Sequence, residues 1–192
     1  DIHGNVSTYG YDKNGNQIGL GYGWANGYAV AYSYDAKNRL TGVTHGFGST
    51  ALAYYRDDRI KAKTHDNGVT TTHDYDAYGN LSTLSHEQSG TVMHKFDYQY
   101  DDNQNRTQVT EFNSIDSLVT DFEYDDQDRL TQAIYTGDSK AQSNNNQSNG
   151  TAVYTYDNNS NRETETFTTA ANVQSKNITY GYDNNDQLTS IV

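Results

Sequence analysis

The stretch Tyr28-Ala29-Val30-Ala31-Tyr32-Ser33-Tyr34-Asp35 sets Tyr28, Val30, Tyr32 and Tyr34 at every second position and fills the gaps with Ala29, Ala31 and Ser33. Side chains of a strand alternate between its two faces, so this segment reads as a strand with one aromatic face and one small face. His94, Phe96, Tyr98 and Tyr100 alternate in the same way with Lys95, Asp97 and Gln99, as do Ile178, Tyr180 and Tyr182 with their neighbours.

The end of that stretch recurs. An aromatic residue, any residue, Tyr and Asp stand at Tyr9-Gly10-Tyr11-Asp12, Tyr32-Ser33-Tyr34-Asp35, Tyr98-Gln99-Tyr100-Asp101, Phe122-Glu123-Tyr124-Asp125, Tyr154-Thr155-Tyr156-Asp157 and Tyr180-Gly181-Tyr182-Asp183. His73-Asp74-Tyr75-Asp76 carries His in the aromatic slot, and Tyr54-Tyr55-Arg56-Asp57 reads as a decayed eighth copy. Successive Asp positions, with Asp57 counted, lie 19 to 32 residues apart. A period of that size marks a repeat architecture.

Each copy runs into a turn. Three residues past the Asp lie Gly15, Asn38, Gly79, Asp128 and Asp186, types that tolerate a left-handed backbone, with Gln104 and Ser160 as exceptions. One residue further stand Asn16, Arg39, Asn80, Asn105, Arg129, Asn161 and Gln187, all side-chain hydrogen-bond donors. The Asp carboxylate is therefore expected to accept N–H groups of its own turn, with the exit residue bridging back to it. A second strand begins near Leu40, Leu81, Leu130 or Leu188; Leu40 and Val43, like Leu81 and Leu84, are three apart, which calls either for a bulge or for leucines at the turn. Each repeat is thus one β-hairpin, too small to stand alone but able to pair beside its neighbours.

Composition agrees with a sheet built from tyrosine. Among 192 residues, Leu, Ile, Val and Phe make only about 16%, below the roughly 20% under which disorder is expected. The 18 Tyr reverse that expectation, because the ring buries a large apolar area while its hydroxyl finds water or a partner. Pro is absent, so no residue lacks a backbone donor for sheet pairing, and without Cys there is no disulfide or thiolate chemistry. A net charge of −12 argues against a general nucleic-acid partner. No apolar run is long enough for a membrane span, and no leader segment is recognisable. The tract at 137–150, Gly137 to Gly150, holds no core-forming residue and reads as a polar loop inserted between hairpins.

The pattern Tyr-x-Tyr-Asp, a short turn, Gly or Asn, then Arg-Leu resembles the YD repeat of Rhs proteins, toxin-complex shell subunits and teneurins. The resemblance covers nearly the whole chain. It implies an all-β fold of tandem antiparallel hairpins in an extended, curved or spiralling sheet, with residues 1–192 as one array of about eight hairpins and a fragment of a longer repeat protein. In that family such a sheet forms a hollow shell that encloses a toxin polypeptide or an extracellular barrel, so the resemblance implies an extracellular or cell-surface setting. It does not extend to the family's autoproteolytic aspartates or its variable toxin segment, because nothing after Asp183 resembles either.

Chemistry beyond the repeat is sparse. Asp12-Lys13-Asn14-Gly15-Asn16 and Asp101-Asp102-Asn103-Gln104-Asn105 alternate oxygen ligands as a calcium loop begins, but they lack the closing Glu and match ordinary turn chemistry better. The six histidines have no metal-type spacing, no nucleophile elbow or phosphate loop occurs, and no cofactor is implied. Two functions remain. One is a non-enzymatic scaffold, a shell or filament segment whose partners are flanking repeats or further copies at the sheet edges, with an encapsulated polypeptide as a further partner. The other is a glycan-binding or adhesive module using exposed aromatics, for which Tyr22, Trp24, Tyr28 and Tyr135 lie outside the repeat slots.

Overall fold

The computed structural model describes residues 6–22, 29–114, 116–137 and 149–192. Trp24, Tyr28 and nearly all of the 137–150 tract therefore lie outside the described residues. The described chain is all β, with no helix. Two compact units divide it, Asp1–Asp74 with Leu84–Met93, and Tyr75–Thr83 with His94–Val192. Within each unit the strands follow chain order, each beside the next.

In the first unit, β1 (Ser7–Tyr11), β2 (Gln17–Tyr22), β3 (Ala29–Tyr34), β4 (Leu40–His45), β5 (Gly48–Tyr54), β6 (Ile60–His65) and β7 (Val69–Tyr75) each pair antiparallel with the next. Then come β8 (Leu81–Gln88) and β9 (Thr91–Tyr100). In the second unit β9 is followed by β10 (Arg106–Phe112), β11 (Ser117–Tyr124), β12 (Leu130–Gly137), β13 (Gly150–Tyr156), β14 (Arg162–Thr169), β15 (Gln174–Tyr182) and β16 (Leu188–Ile191), again antiparallel throughout.

The register decides the spacing of the leucines in favour of a bulge. Tyr34 faces Leu40 and Ser33 faces Gly42, which leaves Thr41 as an extra residue. Tyr32 faces Val43, so the bulge returns Leu40 and Val43 to the face that carries Tyr32 and Tyr34. The same shift recurs at Tyr11, Tyr54, Tyr124, Tyr156 and Tyr182.

Burial is modest. Among the described apolar residues only Leu118, Ala133 and Ala152 are buried, and no large side chain is fully enclosed. Ala133 faces Ala152 across β12 and β13, and Phe122 faces Ala133 on the other side, so small residues let the strands' larger neighbours close over them. With so little enclosed apolar surface, the hydrogen bonds and ring contacts of the repeat carry an unusual share of the organisation.

Candidate functional site: the tyrosine–aspartate turn ladder

Every turn of the Tyr-Asp type has one geometry. The Asp N–H donates to the carbonyl four residues on, and the N–H three residues on donates back to the Asp carbonyl, as in Asp35 N to Arg39 O at 3.0 Å and Asn38 N to Asp35 O at 3.0 Å. This is a three-residue hairpin loop, a tight turn closed by one residue in the left-handed region. That residue has φ between 58° and 97° at Gly15, Asn38, Gly79, Gln104, Asp128, Ser160 and Asp186. Gln104 and Ser160, exceptions by composition, obey the same backbone rule because the loop length imposes it.

The carboxylate does what its position suggests. Asp12 Oδ1 accepts from Asn14 N at 2.8 Å and Asn16 N at 2.9 Å, while Oδ2 accepts from Asn16 Nδ2 at 2.8 Å. Asp35, Asp76, Asp125 and Asp157 repeat the scheme with Arg39, Asn80, Arg129 and Asn161 as exit residues. Asp101 accepts from Asn105, and Asp183 from the backbone of Asn185 and Gln187. Hydrogen bonds from Asn16, Arg39 and Asn161 side chains are the main cause that holds Asp12, Asp35 and Asp157 below the usual carboxylate range. At Asp76 and Asp125 lost hydration pushes upward, but hydrogen bonds from Asn80 and Arg129 outweigh it and these too are lowered.

The decayed copy is framed two residues earlier than the sequence pattern suggests. Tyr55 N donates to Arg59 O at 2.9 Å and Asp58, with φ 70°, fills the left-handed position, so Tyr55 stands in the Asp slot and Tyr54 in the Tyr slot. Asp57 compensates from inside the loop, binding Arg59 Nε at 2.9 Å and Nη2 at 2.6 Å.

Two links between successive repeats are not announced by the repeat pattern. The first is a hydroxyl strap. Tyr34 donates to Gln17 O at 2.9 Å, Tyr54 to Leu40 O at 2.7 Å, Tyr100 to Leu81 O at 2.9 Å, Tyr124 to Arg106 O at 2.9 Å and Tyr156 to Leu130 O at 2.8 Å. Each acceptor follows the exit residue of the preceding turn. Since that acceptor is a backbone carbonyl, no residue type signals it.

The second link joins turn to turn through the left-handed residue. Asn14 and Asn16 donate to Asn38 Oδ1, Lys37 and Arg39 to Asp58 Oδ1, Asn103 and Asn105 to Asp128 Oδ1, and Asn159 and Asn161 to Asp186 Oδ1. Arg129 Nη1 donates to Ser160 Oγ at 3.1 Å. Asn, Asp or Ser at this position therefore combines backbone tolerance with a side-chain acceptor, and that chemical restriction was the available clue. At Arg39 and Arg129 the guanidinium also lies on the next tyrosine, Arg39 over Tyr54 at 4.6 Å and Arg129 over Tyr156 at 4.7 Å.

The remaining repeat residues occupy strand positions. Tyr9 and Tyr11 on β1 are exposed; Tyr32 faces Val43 and Tyr98 faces Val109. Tyr75 closes β7 before Asp76, Phe122 faces Ala133, and Tyr154 faces Glu165. Tyr180 donates to Glu165 Oε2 at 3.0 Å, and Tyr182 faces Leu188. Of the aromatics outside the repeat slots, Tyr22 lies on β2 in the first unit and is partly exposed. Tyr135 lies on β12 in the second, its ring 6.1 Å from that of Phe167, in a groove with Asn149, Thr151 and Asn172.

Among the described residues no group of three or more acidic or histidine side chains is placed to hold a metal ion, and no helix is long and apolar enough to cross a membrane.

This architecture of tandem antiparallel hairpins is shared with Tc toxin structures. The Photorhabdus luminescens Tc holotoxin pore matches with a TM-score of 0.74 at 17% identity, over 96% of this chain and 10% of that one. A TcdB2-TccC3-TEV crystal structure matches with a TM-score of 0.71 at 17% identity, over 95% and 10% of the two chains. A TcdB2-TccC3-Cdc42 crystal structure gives 0.68 at 16% identity, over 98% and 11%. The likeness is one of fold. The chain spans about a tenth of the length of the structures it matches. No family model matches the chain, and no curated protein matches it.

Proposed function

We propose that this chain is a segment of a YD-repeat wall, a scaffold whose partner is more of the same repeat. The observation that carries this reading is the linkage of successive repeats within each unit by strap, turn ladder or both, which leaves the repeat residues engaged in joining hairpins. The fold shared with Tc toxin structures supports it. On this reading the outer edges of β1 and β16 pair with flanking repeats or with further copies, since unpaired strand edges invite a partner. An encapsulated polypeptide and an extracellular setting go with the wall reading as its finer parts, and no enzymatic activity is assigned.

Light scattering and electron microscopy on the isolated chain test the reading. Concentration-dependent association into sheet-edge assemblies is expected. A stable monomer at high concentration, with β1 and β16 both protected from hydrogen exchange, would overturn it. A glycan array run on the same material separates the adhesive alternative, which predicts specific sugar binding lost on Trp24→Ala.

A further inference from the structure

Among the successive turns of the second unit, one pair breaks the ladder. The turn at Asp76–Asn80 precedes the one at Asp101–Asn105, and the left-handed residue of the second is Gln104, φ 69°. Gln104 makes no side-chain hydrogen bond among the described residues, and neither does the hydroxyl of Tyr78, which is 84% exposed. Asn80 binds back to Asp76 Oδ2 at 3.1 Å and does not reach across. Between these two turns lies a cleft of about 570 Å³, lined by Asp76, Tyr78, Tyr100, Asp101, Asp102 and Gln104 among others.

At two other pairs of turns the corresponding place holds a guanidinium, while Asn16, Asn105 and Asn161 reach across with an amide. Arg39 lies 4.6 Å from the centre of the Tyr54 ring, and its Nη1 donates to Tyr55 O at 2.9 Å and Asp58 Oδ1 at 2.7 Å. Arg129 repeats the arrangement over Tyr156, with Ser160 Oγ as acceptor. Position for position, the Asp76–Asn80 and Asp101–Asn105 pair offers the Tyr100 ring, the Asp101 carbonyl and the Gln104 amide oxygen. Its own exit residue is Asn80, too short to supply the cation. The carboxylates of Asp76, Asp101 and Asp102 give the cleft a negative field, in a chain of net charge −12.

We infer that this cleft is a binding site for an arginine side chain of another polypeptide, which takes the place that Arg39 and Arg129 take within the chain. A planar guanidinium stacks on tyrosine and donates along several directions at once, which an ammonium does not. The same carboxylates disfavour a free amino acid, whose own carboxylate enters with it, and favour an arginine within a peptide. The site is independent of the wall reading and stands or falls on its own.

Nuclear magnetic resonance titration of the full chain with N-acetyl-arginine amide is the test, with free arginine and N-acetyl-lysine amide as comparison ligands. Saturable shifts at Tyr78, Tyr100 and Gln104 are expected, with binding at least severalfold weaker for the other two ligands. Asn80→Arg supplies the guanidinium internally and should abolish the response. Gln104→Gly keeps the left-handed backbone, removes the acceptor and should weaken it severalfold. Shifts that do not saturate, an equal response to lysine, or an unchanged response in a folded Asn80→Arg protein would each overturn the assignment. Folding of each variant is checked by its dispersed amide spectrum, and if Asn80→Arg does not fold, Gln104→Gly alone decides.

Discussion

Asn105 Nδ2 donates to Asp128 Oδ1 at 2.6 Å, joining the exit residue of one turn to the left-handed residue of the next across 23 positions of sequence. Asp128 thus answers two demands, a φ of 58° and an acceptor that faces back along the array.

Those demands separate by substitution. Asp128→Gly satisfies the backbone and deletes the acceptor used by Asn103 and Asn105, so it should cost about 1 kcal/mol. Asp128→Asn keeps an oxygen and should stay within about 0.5 kcal/mol of the parent. Urea denaturation measures both. A glycine variant as stable as the parent would mean that the ladder contributes no stability.

Removing one hydroxyl tests the strap. Tyr156→Phe retains the ring under Arg129 but leaves the Leu130 carbonyl without its donor at 2.8 Å, and should lower stability by about 1 kcal/mol. Hydrogen exchange should rise most in β12 and β13. Tyr9→Phe, on an exposed ring with no such strap, serves as the control and should be neutral.

Acid should weaken the array through its turns. Asp12, Asp35, Asp76, Asp125 and Asp157 are lowered in the folded protein, so the folded state binds fewer protons than the unfolded one near their ordinary value of 3.8. Their contribution is fully present above the unfolded value and is lost as pH falls through the lower folded ones. The turns' share of the melting temperature should therefore hold through mild acid and fall below about pH 4. Asp35→Asn should flatten part of that fall.

His73 sets a second, higher window. Burial is the main cause lowering its pKa from 6.5, aided by Lys63 and His86 and opposed by Asp74. The folded state thus favours the neutral ring, and stability is lost as pH drops below the unfolded value toward the folded one. His73→Phe restores the aromatic of the repeat slot and should remove the slope of melting temperature just below pH 6.5, while the parent retains it.

Much of this was legible because turns speak through residue type. The Asp, the left-handed position and the exit donor each restrict the residues that can stand there, and alternation set the strands between them. What stayed hidden was carried by backbone atoms or by displacement. The carbonyls of Gln17, Leu40 and Leu130 accept from tyrosines regardless of their side chains. The frame at Tyr54-Tyr55 was obscured because Asp57 preserves the look of the motif from the wrong position, and hydrogen-bond geometry places it where spelling does not. The cleft beside Gln104 follows from a missing pair of bonds, which becomes visible only against the bonds its neighbours make.

The pairing of each strand with its successor has a consequence for how the protein is made. Within each unit the registers join strands adjacent in the chain, from β1 with β2 to β15 with β16. Pairing of this kind closes short loops, and the search entropy that slows other sheet proteins is correspondingly small. A ribosome releasing the chain from its N-terminus would deliver the successive hairpins of a unit directly beside a finished one, so assembly can keep pace with translation, lengthening one rung at a time.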